Sequence, residues 1–145
     1  MKFWDSSALV PLLVMEDVTF RLGELYLQED GVLAWWGAEI ECASAISRLE
    51  REDRLSPREA TLALQRLDDL ARSWHVIEPG ESLRQTARRL LRVHALRAAD
   101  SLQLAAALLA SEGQPATLGF VCLDERLSTA AQREGFLLIA RDSLR

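Results

Sequence analysis

The sequence predicts an α/β fold, a three-layer α/β/α sandwich around a mainly parallel central sheet. Three observations predict it. Apolar runs such as Val32-Leu33-Ala34-Trp35 and Gly119-Phe120-Val121-Cys122-Leu123 have the length of strands buried on both faces. Longer segments with apolar residues three and four apart alternate with them, as crossover helices do in parallel sheets. Turn signals at Asp30-Gly31 and Pro79-Gly80 punctuate the series.

The elements follow in order. Met1 to Trp4 is read as a short buried strand that delivers Asp5 to its C-terminal end. Ser6-Ser7 are expected to cap a helix carrying Leu9, Val10, Leu12 and Leu13. A second helix covers Val18 to Gln28, and Val32 to Trp35 is the next strand. Gly37 breaks that strand and a helix runs from Ala38 to about Arg51, with Ile40, Ala43, Ile46 and Leu49 at a spacing of three. Ser56-Pro57-Arg58-Glu59 is the clearest local signal. Serine at the cap, proline in the first helical position and glutamate three residues past the serine make a capping box. Ala60, Leu64, Leu67, Ala71 and Trp74 continue a helical stripe. His75-Val76-Ile77 is a brief strand. Glu81 to His94 is helical with Leu83, Ala87, Leu90 and Leu91 facing inward. Asp100 opens an alanine- and leucine-rich helix to Ala110 that is apolar nearly all round and therefore buried. Gly119 to Leu123 is a buried strand, Glu125 to Arg133 a helix ended by Gly135, and Phe136 to Ile139 the last strand.

At 145 residues the chain fits one domain, residues 1–145, with a single core and no linker. Its 49% hydrophobic and 27% charged residues are the balance of a globular protein rather than a disordered one. No apolar run approaches the roughly 20 residues of a membrane helix, and the N-terminus enters Lys2-Phe3-Trp4-Asp5 without a signal-peptide pattern. The expectation is a cytoplasmic protein without membrane association. Cys42 and Cys122 fit that compartment as buried free thiols, since they lack metal-ligand spacing and companion histidines. A net charge of −5 argues against a general nucleic-acid-binding protein. It leaves a nuclease open, because bound cations would offset the acids of such a site. Lys2 is the only lysine; the other cationic residues are arginines, which offer bidentate contact to phosphate.

Asp5, Glu41, Asp100 and Asp124 each stand where a segment turns over into a helix, and each has an apolar frame. An acid among core-type residues is poorly solvated and needs a partner to stay charged. These four lie far apart in sequence with no matched set of basic residues beside them, so a shared divalent cation is the economical partner. Asp5 and Asp124 directly follow strands, and Glu41 and Asp100 occupy first turns of helices. All four are therefore expected at the carboxyl edge of the sheet, where sites form in such folds. Carboxylate-held divalent ions suit phosphodiester hydrolysis, and an oxygen-only donor set selects magnesium or manganese over zinc.

The blocks Asp5-Ser6-Ser7-Ala8-Leu9-Val10, Glu41-Cys42-Ala43-Ser44-Ala45-Ile46, Leu96-Arg97-Ala98-Ala99-Asp100-Ser101-Leu102-Gln103-Leu104 and Leu123-Asp124-Glu125-Arg126-Leu127 resemble the four conserved blocks of PIN-domain ribonucleases. The resemblance is closest to the VapC-type toxins of toxin–antitoxin pairs and covers essentially the whole chain. It implies a magnesium-dependent endoribonuclease, with manganese a substitute, whose catalytic and metal-ligating residues are Asp5, Glu41, Asp100 and Asp124. It also implies a homodimer silenced by a cognate antitoxin whose tail enters the active-site groove. Glu39 competes with Glu41 for the second ligand, although Ser44-Ala45-Ile46 favours Glu41. Some relatives carry a further acid shortly after the fourth aspartate, where this chain has Arg126.

Around these blocks, Ser7 is read either as a contact of the metal's water shell or as a helix cap. Arg97 is read either as a phosphate contact or as an ion-pair partner of a site acid. Arg84, Arg88 and Arg92 line one helix face, which suits a solvated surface more than an RNA track. Trp35-Trp36 is read as core packing ahead of base stacking. His94 has no nucleophile or ligand partner beside it and His75 sits in a strand, so neither is read as a general base. A phosphoacceptor receiver domain needs a late lysine that is lacking here. A haloacid-dehalogenase-type phosphatase needs an aspartate where Ser7 stands. A stand-alone ribonuclease and a non-catalytic RNA- or partner-binding module of the same fold remain the alternatives.

Overall fold

The structure is a computed structural model that describes residues 1–145. Five short strands, β1 (Lys2–Trp4), β2 (Val32–Trp35), β3 (His75–Ile77), β4 (Gly119–Val121) and β5 (Leu137–Ile139), form one sheet in the order β3-β2-β1-β4-β5. Every pairing is parallel, with Phe3 beside Leu33 on one side and beside Phe120 on the other. The helices are α1 (Ser6–Leu9), α2 (Thr19–Leu27), α3 (Ala38–Arg51), α4 (Pro57–Ala71), α5 (Glu81–Val93), α6 (Ala98–Ala110) and α7 (Glu125–Arg133). Parallel neighbours require crossovers, and these helices supply them. None is long and apolar enough to cross a membrane.

Side chains alternate across a strand, so each strand feeds two cores. Phe3, Phe120 and Trp35 point to the face covered by α5, α6 and α7. Trp4, Val121, Val32 and Ala34 point to the opposite face, covered by α1, α2, α3 and α4. That is the predicted three-layer sandwich. On the first face Phe120 packs its ring 5.3 Å from those of Phe3 and Phe136. The helix α6 presents Leu104, Ala105, Ala106 and Ala107 with no exposure, which agrees with its nearly all-round apolar sequence.

Most elements fall within two residues of expectation, and the capping box at Ser56 and Glu59 forms with both of its hydrogen bonds. The departures are local. The first helix breaks at Leu9 into a 3-10 turn over Val10–Leu12, since Pro11 lacks the N–H that would continue the ladder. Two further 3-10 turns, Pro115–Thr117 and Arg141–Leu144, were not foreseen. Ile40 and Leu91, expected inward, are 62% and 42% exposed. On α3 a spacing of three drifts around a helix of 3.6 residues per turn, so burial runs through Ala38, Cys42 and Ile46; on α5 Leu83, Ala87 and Leu90 are buried as expected, and Leu91, one residue past Leu90, turns to solvent. Both cysteines are buried free thiols.

Candidate active site

Crossovers leave β1 toward β2 on one side and return beside it at β4 on the other, which opens a crevice at the carboxyl ends of β1 and β4. Asp5 occupies it. The Asp5 N–H donates to the Val121 carbonyl at 3.0 Å, so this first residue past β1 is still held by β4. Its side chain lies in a residue only 4% exposed. Oδ2 accepts from the Ser7 N–H at 3.1 Å, from the Ser7 hydroxyl at 2.5 Å and from the Cys122 thiol at 3.6 Å. The N-cap of α1 is therefore Asp5, and the expectation of a Ser6-Ser7 cap is corrected. Asp5 has the extended backbone a cap requires, while both serines are already helical. Ser7 instead rivets the two strand ends, since its Oγ also accepts the Leu123 N–H at 2.9 Å.

Gly37 ends β2 and starts α3. A Cβ there would lie 2.5 Å from the Trp35 indole nitrogen, so the tight entry into α3 needs glycine. Four residues on, the Glu41 carboxylate accepts from Gln103 Nε2 at 2.8 Å and from the Ser6 hydroxyl at 3.4 Å. Glu39 is exposed and makes no hydrogen bond to the site, so Glu41 is the acid that α3 turns toward Asp5.

Asp100 is the third residue of α6, where it accepts the Arg97 N–H at 3.3 Å. The Arg97 guanidinium forms no ion pair with it; the backbone of Arg97, not its side chain, meets the acid. Asp124 is exposed and caps α7, accepting from the Leu127 N–H at 2.8 Å. It shares a hollow of about 450 Å³ with Asp100, Arg97, Leu123, Glu125 and Arg126.

The charges at these positions influence one another. Burial pushes the Asp5 carboxyl above the usual carboxylate range, against the hydrogen bonds from Ser7 and Cys122, and the charge on Asp100 adds to it. Burial, then the charge on Asp5, raises Glu41 to about 7, with Gln103 and Ser6 opposing and Asp100 contributing. Asp100 is raised by burial and by Asp124, against the Arg97 N–H and the charges on Arg97 and Arg126. The coupling therefore runs from Glu41 through Asp5 and Asp100 to Asp124 at the outer end. None of the four takes part in an ion pair.

Acids so placed fit a divalent cation by their chemistry: the donors are hard oxygens, two of the acids are largely buried, and no basic side chain neutralises them. A further oxygen, Gln103 Oε1, is fully buried with no hydrogen-bond partner. No three acidic, histidine or cysteine side chains converge closely enough to hold an ion in the arrangement described. Each carboxylate is turned to a local donor instead, as mutually repelling charges should be.

Sequence reasoning missed Gln103, Ser6 and Cys122. Gln103 had a signal: it lies three residues after Asp100, on the same face of a helix with few other polar residues. The other residues singled out fall outside the acid cluster. Arg84 pairs with Glu81 at 2.7 Å, and Arg88 and Arg92 are exposed on α5. His94 binds Glu134 at 2.8 Å. Trp35 is buried as expected, but Trp36 is 49% exposed.

No curated family profile matches the chain. Solved structures resemble it. One is a toxin–antitoxin complex from Klebsiella pneumoniae, with a TM-score of 0.62, 12% identity, and coverage of 88% of this chain and 91% of that one. Another is FitAcB from Neisseria gonorrhoeae, with a TM-score of 0.66, 15% identity and 96% of both chains covered. At such identities they support the fold alone. Two curated relatives go further: ribonuclease VapC45 of Mycobacterium tuberculosis strain CDC 1551 / Oshkosh and ribonuclease VapC49 of M. tuberculosis strain H37Rv. Each is 32% identical over 133 residues, covering 92% of this chain and 90% of the relative. With that likeness along nearly its whole length, the chain belongs to the VapC family of ribonucleases.

Proposed function

We propose that this protein is the toxin of a toxin–antitoxin pair, an endoribonuclease that hydrolyses RNA phosphodiesters at the edge formed by Asp5, Glu41, Asp100 and Asp124. Residues 1–145 serve as its single PIN domain. Magnesium is the proposed ion, with manganese as substitute. When bound, such an ion lowers the pKa of a water and offsets charge on the reacting phosphate. Asp5, Glu41, Asp100 and Asp124 would hold it through their carboxylate oxygens. Ser7 keeps Asp5 aimed, Gln103 keeps Glu41 aimed, and Arg97 stands at the mouth for a phosphate. The observation that carries this reading is that Asp5, only 4% exposed, and Glu41, Asp100 and Asp124 carry no ion pair and meet only neutral hydrogen-bond donors.

The proposed partner is a cognate antitoxin. A hollow of about 500 Å³ lined by Leu13, Val14, Met15, Leu55 and Leu62, with Arg54 and Arg66 at its rim, suits the apolar face of such a segment. Residues of α2 do not line it, since Leu22 is buried in the core and Leu27 is exposed. We also propose a homodimer in the cytoplasm, in which a second copy covers exposed apolar side chains such as Ile40 and Val93. Sedimentation tests the dimer.

The purified protein tests the ribonuclease assignment. It should cut single-stranded RNA internally with magnesium and stop with chelator, and either ion should raise its melting temperature by mass action. Asp5→Asn should lose both responses. An equal thermal response in wild type and variant would remove the acids from the site.

A further inference from the structure

One face of α7 carries Arg126, Thr129, Ala130 and Arg133 at positions i, i+3, i+4 and i+7. The two arginines are two turns apart, about 10 Å along the axis. Together with His94 and Ala95 at the end of α5, this stripe lines a hollow of about 180 Å³. Arg126 lines a second hollow as well, the larger one that holds Asp100, Asp124 and Arg97. The two hollows therefore adjoin at Arg126, and the smaller one leads away from the acids.

Its charge is suited to an anion. Neither Arg126 nor Arg133 forms an ion pair, and both are exposed. The acid nearest by connection, Glu134, is already held by His94 Nε2 at 2.8 Å and by Arg89 at 3.3 Å, so it leaves the arginines free. Glu125 faces the larger hollow, not the smaller one. On a chain of net charge −5, a local pair of arginines continuous with the acidic crevice gives a polyanion a place to be gripped. Each guanidinium offers a fork of donors that matches phosphate oxygens, and Thr129 adds a hydroxyl between them.

We propose that the hollow between the end of α5 and the face of α7 is a subsite for an RNA backbone phosphate next to the one cleaved. Arg126 bridges the two hollows and Arg133 closes the far end. The subsite rests on the ribonuclease reading and assigns the side of the crevice along which the RNA leaves the acids.

Binding is measured with a labelled single-stranded RNA of mixed sequence, on an Asp100→Asn background that leaves the strand uncut. Arg126→Gln and Arg133→Gln should each weaken binding several-fold and reduce the slope of log K against log salt by about 0.7, the value for one phosphate contact on a single strand. Arg133→Lys should keep the slope, and Arg72→Gln, just past the end of α4, should behave as the parent. With Asp100 intact, Arg133→Gln should keep the wild-type thermal response to manganese, which separates the subsite from the ion site. Unchanged affinity and slope in both glutamine variants would overturn the subsite, as would a lost affinity with an unchanged slope. Loss of binding to a co-encoded antitoxin with RNA binding intact would assign the hollow to a protein partner and overturn it too. A wild-type protein that neither binds nor cuts RNA would fail earlier, at the ribonuclease reading itself.

Discussion

Gln103 Nε2 donates a hydrogen bond to Glu41 Oε2 at 2.8 Å, joining the first turn of α3 to the second turn of α6. Gln103 has no exposure, and its own Oε1 is left without a partner. A buried amide with half its capacity unmet is expensive, on the order of 1–3 kcal/mol. It remains compatible with the fold because it orients a carboxylate that desolvation would otherwise leave unsupported.

Gln103→Leu should therefore fold while leaving Glu41 free to turn. Groups behind a metal ligand typically contribute about 10–100-fold to ion affinity. A loss in that range is expected for manganese, read by thermal shift or by paramagnetic resonance of the free ion. Wild-type affinity in the variant would show that Gln103 is only a packing residue.

Glu41 should make stability fall with pH in the absence of cations. Its carboxyl keeps its proton to about 7 when folded, against 4.5 as the ordinary value. The neutral form is present in both states below 4.5. Between 4.5 and 7 the unfolded chain has ionised and the folded one has not, so stability drops through that window and levels off above it. Asp5 and Asp100, raised from 3.8, act in the same direction. In chelator, Glu41→Gln should melt above wild type at pH 8 and lose that advantage toward pH 5. Saturating magnesium should reverse the order at pH 8, because only the ionised acids hold it. Parallel melting curves across pH would contradict the shift.

Asp100→Asn separates an enzyme from a binding module. The amide oxygen can still accept the Arg97 N–H that begins α6, so the melting curve should match wild type. RNA cleavage should nevertheless be mostly lost. Normal turnover in a normally folded variant would remove Asp100 from the chemistry.

Leu62→Glu tests the partner. Leu62 is 50% exposed at the apolar hollow and far in sequence from every site acid. The variant should cut RNA as wild type does but escape inhibition by a co-encoded antitoxin. Asp5→Ala and Asp124→Ala should weaken the antitoxin as well, if a basic side chain of its tail pairs with these acids. Wild-type affinity for the antitoxin in all three would place the partner elsewhere.

The alternation of short apolar runs with amphipathic helices, the capping box at Ser56 and the placement of four acids at element ends were legible in the chain itself. They depend on periodicity and on chemistry within a few residues, and the observed strands and helices follow them closely. What lay beyond reach were contacts between distant segments. Strand order placed Asp5 under β4, so that Ser7 could accept from Leu123, 116 residues away. Helix phase turned Glu41 to Gln103 and left Ile40 outside, a rotation that a spacing of three does not specify. The approach of α7 to the end of α5 set Arg126 and Arg133 beside His94. Local sequence decides which residues begin a helix; which helix ends meet is decided by burying both faces of the sheet at once, and that is a property of the whole packed chain.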